Sequence, residues 1–140
     1  MKDNIFKIIY HTADIGIEVV AGNLEDLFRK SALGLLNLIS DTSLIDIKES
    51  VNSFVEGSDH EELLVNFLNE IIFLHETREM VFKDVEITHF KPFEIKFILY
   101  GEKIDINRHT FKFSVKSCTY HNLKIEKNGD NYSVKIIFDT

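Results

Sequence analysis

His11-Thr12-Ala13-Asp14-Ile15-Gly16-Ile17-Glu18-Val19 sets a His, a Thr and an Asp between two apolar runs with the period of β-strands. Upstream, Ile5, Ile8, Ile9 and Tyr10 read as one strand; downstream, Ile15, Ile17 and Val19 alternate with Gly16 and Glu18 as a second. The chain therefore opens as a sheet, with its polar groups at the junction. Asp14 stands at a turn or strand start, where its carboxylate either points along the strand into a cleft or caps nearby backbone N–H groups. Residue type alone leaves both roles open.

Working outward, Asn23 is a good N-cap with Asp26 three residues on, so a helix should start there. Leu24, Leu27, Phe28, Ala32, Leu35, Leu36 and Ile39 follow the i, i+3, i+4 spacing of one buried face, opposite Glu25, Arg29 and Lys30. Ser31, Ala32 and Gly34 are small enough to let this helix lie close to a sheet, and Ser40-Asp41-Thr42-Ser43 ends it. A strand is expected from Ile45 to Val55, then a turn at Gly57-Ser58. Ser58 and Glu61 have the spacing of a capping box for a second helix, with Leu63, Leu64, Phe67, Leu68, Ile71, Ile72 and His75 as its apolar stripe, running to about Glu76 or Thr77. His75 reads as a hydrogen-bonded boundary residue, since no second histidine accompanies it at helical spacing. The acidic group Asp59, Glu61 and Glu62 reads as charge favoured by the helix dipole.

The remainder alternates as strands: Val81 to His89, then Phe93, Ile95 and Phe97, then Phe111, Phe113 and Val115. Pro92 marks a turn, Gly101 to Arg108 a polar loop, and Asn128-Gly129 a hairpin joining Leu123 and Ile125 to Tyr132, Val134, Ile136 and Phe138. Residues 1–140 thus read as a single α+β domain, two helices packed on a largely antiparallel sheet.

Composition narrows function. The chain has 140 residues, 44% hydrophobic and 28% charged, as a globular protein has. No apolar run reaches the roughly 18 to 20 residues needed to span a bilayer, and MKDNIF lacks a signal-peptide pattern, so no membrane association and a cytoplasmic location are expected. One cysteine, Cys118, fits a reducing compartment and reads as a small packing residue. Acidic side chains number 23 against 16 basic, a net charge of -7 that repels a polyanion; direct tight nucleic-acid binding is not expected, and a basic protein partner or a metal ion suits the balance better.

Phosphate-binding glycine motifs are absent, no serine sits in a nucleophile elbow, and the 12 Phe and 4 Tyr lack the basic patch of an RNA-binding platform. A carboxylate pair remains. Asp14 heads the second strand, and Asp139 follows Ile136-Ile137-Phe138, with Thr140 and its α-carboxylate next. If the last strand lies beside the first hairpin, these oxygens meet in one pocket, and they repel unless a hard cation such as calcium, magnesium or manganese neutralises them.

Six segments, HTADIGIEV, NLEDLFRKSALGLLNLISD, ELLVNFLNEIIFLHE, GEKIDINRH, VKSCTYHNLKIE and IIFDT, occur in this order along nearly the whole chain. In this the sequence resembles the archease family, small accessory proteins of the RtcB-type tRNA-splicing RNA ligase. The resemblance implies a divalent ion, calcium first with manganese or magnesium as alternatives, held by Asp14, Asp139 and Thr140. Family members usually end in a hydrophobic residue where this chain has Thr140, which leaves a carboxylate-based role intact. His11, Thr12, Tyr120 and His121 match positions near that pole and are expected to support the carboxylates without ligating. It further implies a non-catalytic protein that promotes guanylylation and multiple turnover of the ligase, broadening its nucleotide use, with GTP and tRNA met only through the ligase. Two rivals stand beside it: a chaperone-like modulator of an RNA-modifying methyltransferase, and a metal-dependent hydrolase with His11 or His121 as general base.

Overall fold

The computed structural model describes residues 6–11 and 14–140, Tyr10 and His11 by their backbone alone. Ile5, expected in the first strand, and Thr12 lie outside the described residues. Strand β1 (Lys7–His11) and strand β2 (Asp14–Ala21) form an antiparallel hairpin running from Lys7 opposite Glu18 to His11 opposite Asp14. The last strand, β8 (Asn131–Asp139), pairs along the whole of β2, and its far side carries the short strands β6 (Ser117–Cys118) and β7 (Glu126–Asn128). A second antiparallel sheet has β5 (Glu94–Lys103) between β3 (Glu49–Glu56) and β4 (Met80–Lys91). With two helices against these sheets, the architecture is α+β, as the patterning predicted.

Helix α1 (Leu24–Ile39) starts where expected: the Asn23 side chain accepts from the Asp26 N–H at 2.8 Å. Its small residues do let it approach the sheet. A Cβ on Gly34 would stand 2.7 Å from Ile17 Cδ1, so glycine lets the helix rest against the Ile17 side chain of β2 without displacing it. Helix α2 (His60–Arg78) is capped one residue later than its sequence suggested. Asp59 accepts from the Glu62 N–H, and Glu62 reaches back to the Ser58 N–H, leaving Glu61 to accept from Ile125 N. Ser58 and Asp59 both suit an N-cap, and the choice between them follows from where the preceding turn ends. Between helices and sheets, Phe28, Phe67, Phe97 and Phe138 are fully buried; Phe28 packs on Phe67 and edge-on to Phe90, and Phe67 edge-on to Phe97. No helix among the described residues is long and apolar enough to cross a membrane.

Four expected elements differ. The strand predicted from Ile45 begins only at Glu49, because a 3-10 turn at Thr42–Leu44 takes the Ile45 N–H and leaves Ile47 in solvent. The polar loop expected from Gly101 begins after Lys103, since Gly101, Glu102 and Lys103 pair in β5 with Phe82, Val81 and Met80. Leu123 and Ile125 precede β7 instead of pairing in the final hairpin. Phe111–Val115 joins neither sheet beyond a single bridge from Phe111 to Ser40. The last carbonyls of a helix have no partner within it. Here Lys112 N–H donates to Ile39 O at 2.9 Å and Phe113 N–H to Leu38 O at 3.1 Å, so the extended segment caps the end of α1.

Candidate functional site

The pairing of β2 with β8 sets Asp14 directly opposite Asp139. Opposite residues of an antiparallel pair have Cβ atoms about 4.5–5.5 Å apart on one face, so the two Asp side chains leave the same face of the sheet from neighbouring positions. Asp14 is half-buried, Asp139 exposed and Thr140 half-buried. The register is held two residues along by packing around a glycine: Gly16 lies between Ile9 of β1 and Ile137 of β8. A Cβ there would meet Ile136 O at 2.6 Å and the Ile9 and Ile137 side chains at 2.9 Å. Close approach of the three strands thus depends on Gly16 having no side chain.

On the other side of β8, Ser117 is opposite Asp139, and the Lys116 N–H donates to the Asp139 carbonyl at 2.8 Å. Nothing in the spacing of the sequence links residues 116 and 117 to 139; only the fold does. Like charges directly opposite in a sheet are destabilising, and an all-oxygen donor set is what a hard divalent cation takes. The pair supplies donors of that type, with Thr140 as the adjoining residue. Among the described residues no group of three or more His, Cys, Asp and Glu side chains is placed to hold a metal. The alternative role of Asp14 as a turn cap involves residues 12 and 13, and Thr12 and the His11 side chain, expected as supports, also lie outside the described residues.

Tyr120 and His121 follow β6 on a loop that leads toward the start of α2. Burial first, then the charges of Glu62 and Asp59, push the Tyr120 phenol above its ordinary range. The His121 backbone N–H donates to Thr119 Oγ1 at 3.3 Å. His75 is a hydrogen-bonded boundary residue as read, its Nδ1 bonded to the Met80 carbonyl. Cys118 is buried, and that burial pushes its thiol up to about 12.

A second acidic centre, which no local sequence pattern marks, lies at the end of β5. Ile95, Phe97 and Leu99 of β5 face the core, so Glu102 belongs to the outward face with Lys96, Ile98 and Tyr100. Yet Glu102 is 3% exposed and His109 6%. The segments around Asp46 and His109 fold over that end of the sheet. Glu102 accepts from the Arg108 guanidinium, from Asp46 N–H at 2.6 Å and from His109 Nε2 at 3.0 Å, with Lys48 Nζ at 3.7 Å. His109 Nδ1 accepts from Asp105 N–H, which fixes the tautomer with the proton on Nε2, donated to Glu102. The Arg108 bond, then the Asp46 N–H, holds the Glu102 carboxyl far below the usual carboxylate range. GEKIDINRH is therefore a structural lock, with its carboxylate fully engaged.

A model of the Archease protein family (MTH1598/TM1083) matches residues 6–140. Protein archease of Pyrococcus abyssi is 41% identical over 123 residues, covering 86% of this chain and 87% of that protein. Protein archease of Methanopyrus kandleri is 37% identical over 94% of this chain and 96% of its own length. The solution structure of Methanobacterium thermoautotrophicum protein 1598 superposes with a TM-score of 0.80 at 26% identity, covering 97% of this chain and 99% of that one. A Thermotoga maritima crystal structure, described as an archease and possible chaperone, shares the fold with a TM-score of 0.67 at 24% identity over 99% of this chain and 100% of that one.

Proposed function

The chain belongs to the archease family, and from that membership together with the Asp14–Asp139 pair we propose that it is a non-catalytic activator of an RtcB-type tRNA-splicing RNA ligase. It promotes guanylylation of the ligase and its repeated turnover, and widens the nucleotides the ligase accepts. Asp14, Asp139 and Thr140 hold a divalent ion, calcium before manganese or magnesium. When bound, that ion supplies the positive charge that relieves repulsion between the two carboxylates. The chain's own contribution is positional: β2 and β8 present the acidic tip at one end of a rigid sheet, and a net charge of -7 favours its entry into a cationic cleft of the ligase.

One observation carries the reading. Strands β2 and β8 bring two like charges into register, an arrangement that opposes folding unless something cationic meets it. The test is RNA ligation by the cognate ligase under limiting enzyme. Wild-type protein converts a stoichiometric reaction into many turnovers, and Asp14→Ala or Asp139→Ala abolishes the gain while keeping the fold. Unchanged turnover with wild-type protein, alongside co-purification of an RNA methyltransferase, would move the assignment to the chaperone-like role.

A further inference from the structure

Strand β6 is two residues long and sits at the edge of its sheet, beside the acidic tip. So short an edge strand has little ladder of its own. Its outer side is met by a side chain from α2. The Asn69 carboxamide accepts from the Cys118 N–H at 2.7 Å and donates to the Cys118 carbonyl at 3.2 Å, taking both backbone groups as a neighbouring strand would. On its inner side, β6 and its flanks grip the end of β8. Lys116 N–H donates to Asp139 O at 2.8 Å, Thr119 N–H to Ile137 O at 3.0 Å, and Thr119 Oγ1 to the same carbonyl at 3.0 Å.

We propose that Asn69 is a positioning residue for the acidic tip: by standing in for the missing neighbour of β6, it holds the Lys116–Thr119 segment against β8 and so fixes the backbone of Asp139 opposite Asp14. Asn69 touches neither carboxylate and acts only through Cys118. Adjacent α2 side chains bind the other sheet, Asn66 donating to the Glu56 carbonyl and Glu70 accepting from Ser53 Oγ, so one helix face steadies both sheet edges. The backbone part of this inference is independent of the ion; its effect on ion affinity rests on the function proposed above.

The experiment compares Asn69→Ala and Asn69→Asp with wild type by amide hydrogen exchange and by calcium titration. Asn69→Asp keeps an acceptor for the Cys118 N–H and loses the donor to its carbonyl, so it guards against a misfolded alanine variant. In Asn69→Ala the Lys116 and Thr119 amides exchange about tenfold faster, the scale of one lost hydrogen bond, while core amides of β5 are unchanged. Asn69→Asp falls between. Calcium affinity drops in the same order. Unchanged exchange at Lys116 and Thr119 would overturn the proposal, as would faster exchange with calcium affinity intact, which would make Asn69 an edge cap and nothing more. Wild-type protein that takes up no calcium, with exchange still responding to Asn69, would refute the ion reading and leave the positioning role standing.

Discussion

Asp139 and Glu102 are both strand-end carboxylates in one small protein, and the fold treats them in opposite ways. Glu102 is enclosed by donors from three directions, an arginine, a histidine and a backbone N–H. Asp139 is placed opposite another carboxylate and left exposed. A buried carboxylate whose lone pairs are all engaged has nothing left to offer a partner; its work is to keep Asp46–Lys48 and Asp105–His109 closed over the sheet. A carboxylate paired with its like gains from any cation that arrives. The acidic group whose pKa is held far down is therefore the structural one, and the pair proposed to hold an ion stands out by its register alone.

The largest effect should come from the enclosed centre. Glu102→Gln removes the charge from a buried acceptor and turns one of its oxygens into an NH₂ group facing donors, so buried donors such as His109 Nε2 or the Asp46 N–H lose their partner. It should lose more thermal stability than any other substitution named here, with no dependence on calcium. The pH response gives the sharper check. The folded-state pKa of Glu102 lies below its unfolded value of about 4.3, so the unfolded chain binds the extra proton and stability rises with pH across that window. The contribution is complete above the unfolded pKa and is lost as pH falls toward the folded one. Melting curves of wild type should decline below about pH 4.5, and those of Glu102→Gln should decline less over the same interval.

An intermediate effect is expected where packing sets the tip. Gly16→Val places a side chain against Ile136 O, Ile9 and Ile137. Overpacking of this kind costs about 1–3 kcal/mol. Since Gly16 is two residues from Asp14 on the ladder that aligns Asp139, the variant should also lose stabilisation by calcium, whereas the Glu102 centre should keep its acid response. A Gly16→Val protein that melts lower yet responds fully to calcium would show that the register near Asp14 tolerates displacement.

How much of this contrast can be read from residues alone follows from where each partner lies in the chain. Ile15, Ile17 and Val19, and Val134, Ile136 and Phe138, announce two half-buried strands by alternation, and carboxylates at their ends are visible at once. Their pairing is a long-range event that alternation leaves conditional. The polar neighbours of Glu102 place it in a loop by pattern, and its parity on β5 points to solvent. What buries it comes from Asp46 and His109, and no local pattern encodes that cover. Phe111, Phe113 and Val115 alternate like a strand, yet their segment meets a helix end with unpaired carbonyls before it meets a sheet. Periodicity reports which face is apolar; the partner that takes the N–H groups is decided in three dimensions.

The smallest expected effect has the opposite sign. Asp14→Asn keeps the size and shape of the side chain and removes one of two charges held opposite each other across β2 and β8. Cross-strand pairs of like charge are unfavourable by about 0.2–1 kcal/mol, so in chelator-treated buffer the variant should melt at or slightly above wild type. Added calcium should then reverse the order. Ligand that binds only the folded state stabilises it in proportion to the logarithm of its excess, about 2.7 kcal/mol at a hundredfold excess over Kd, and that increment should be present in wild type and absent in Asp14→Asn. Thermal melts of both proteins with and without calcium supply the four values needed. A variant that melts well below wild type in chelator would mean that Asp14 caps the β1–β2 turn, and the pair opposite Asp139 would then be a consequence of the hairpin with no claim on an ion.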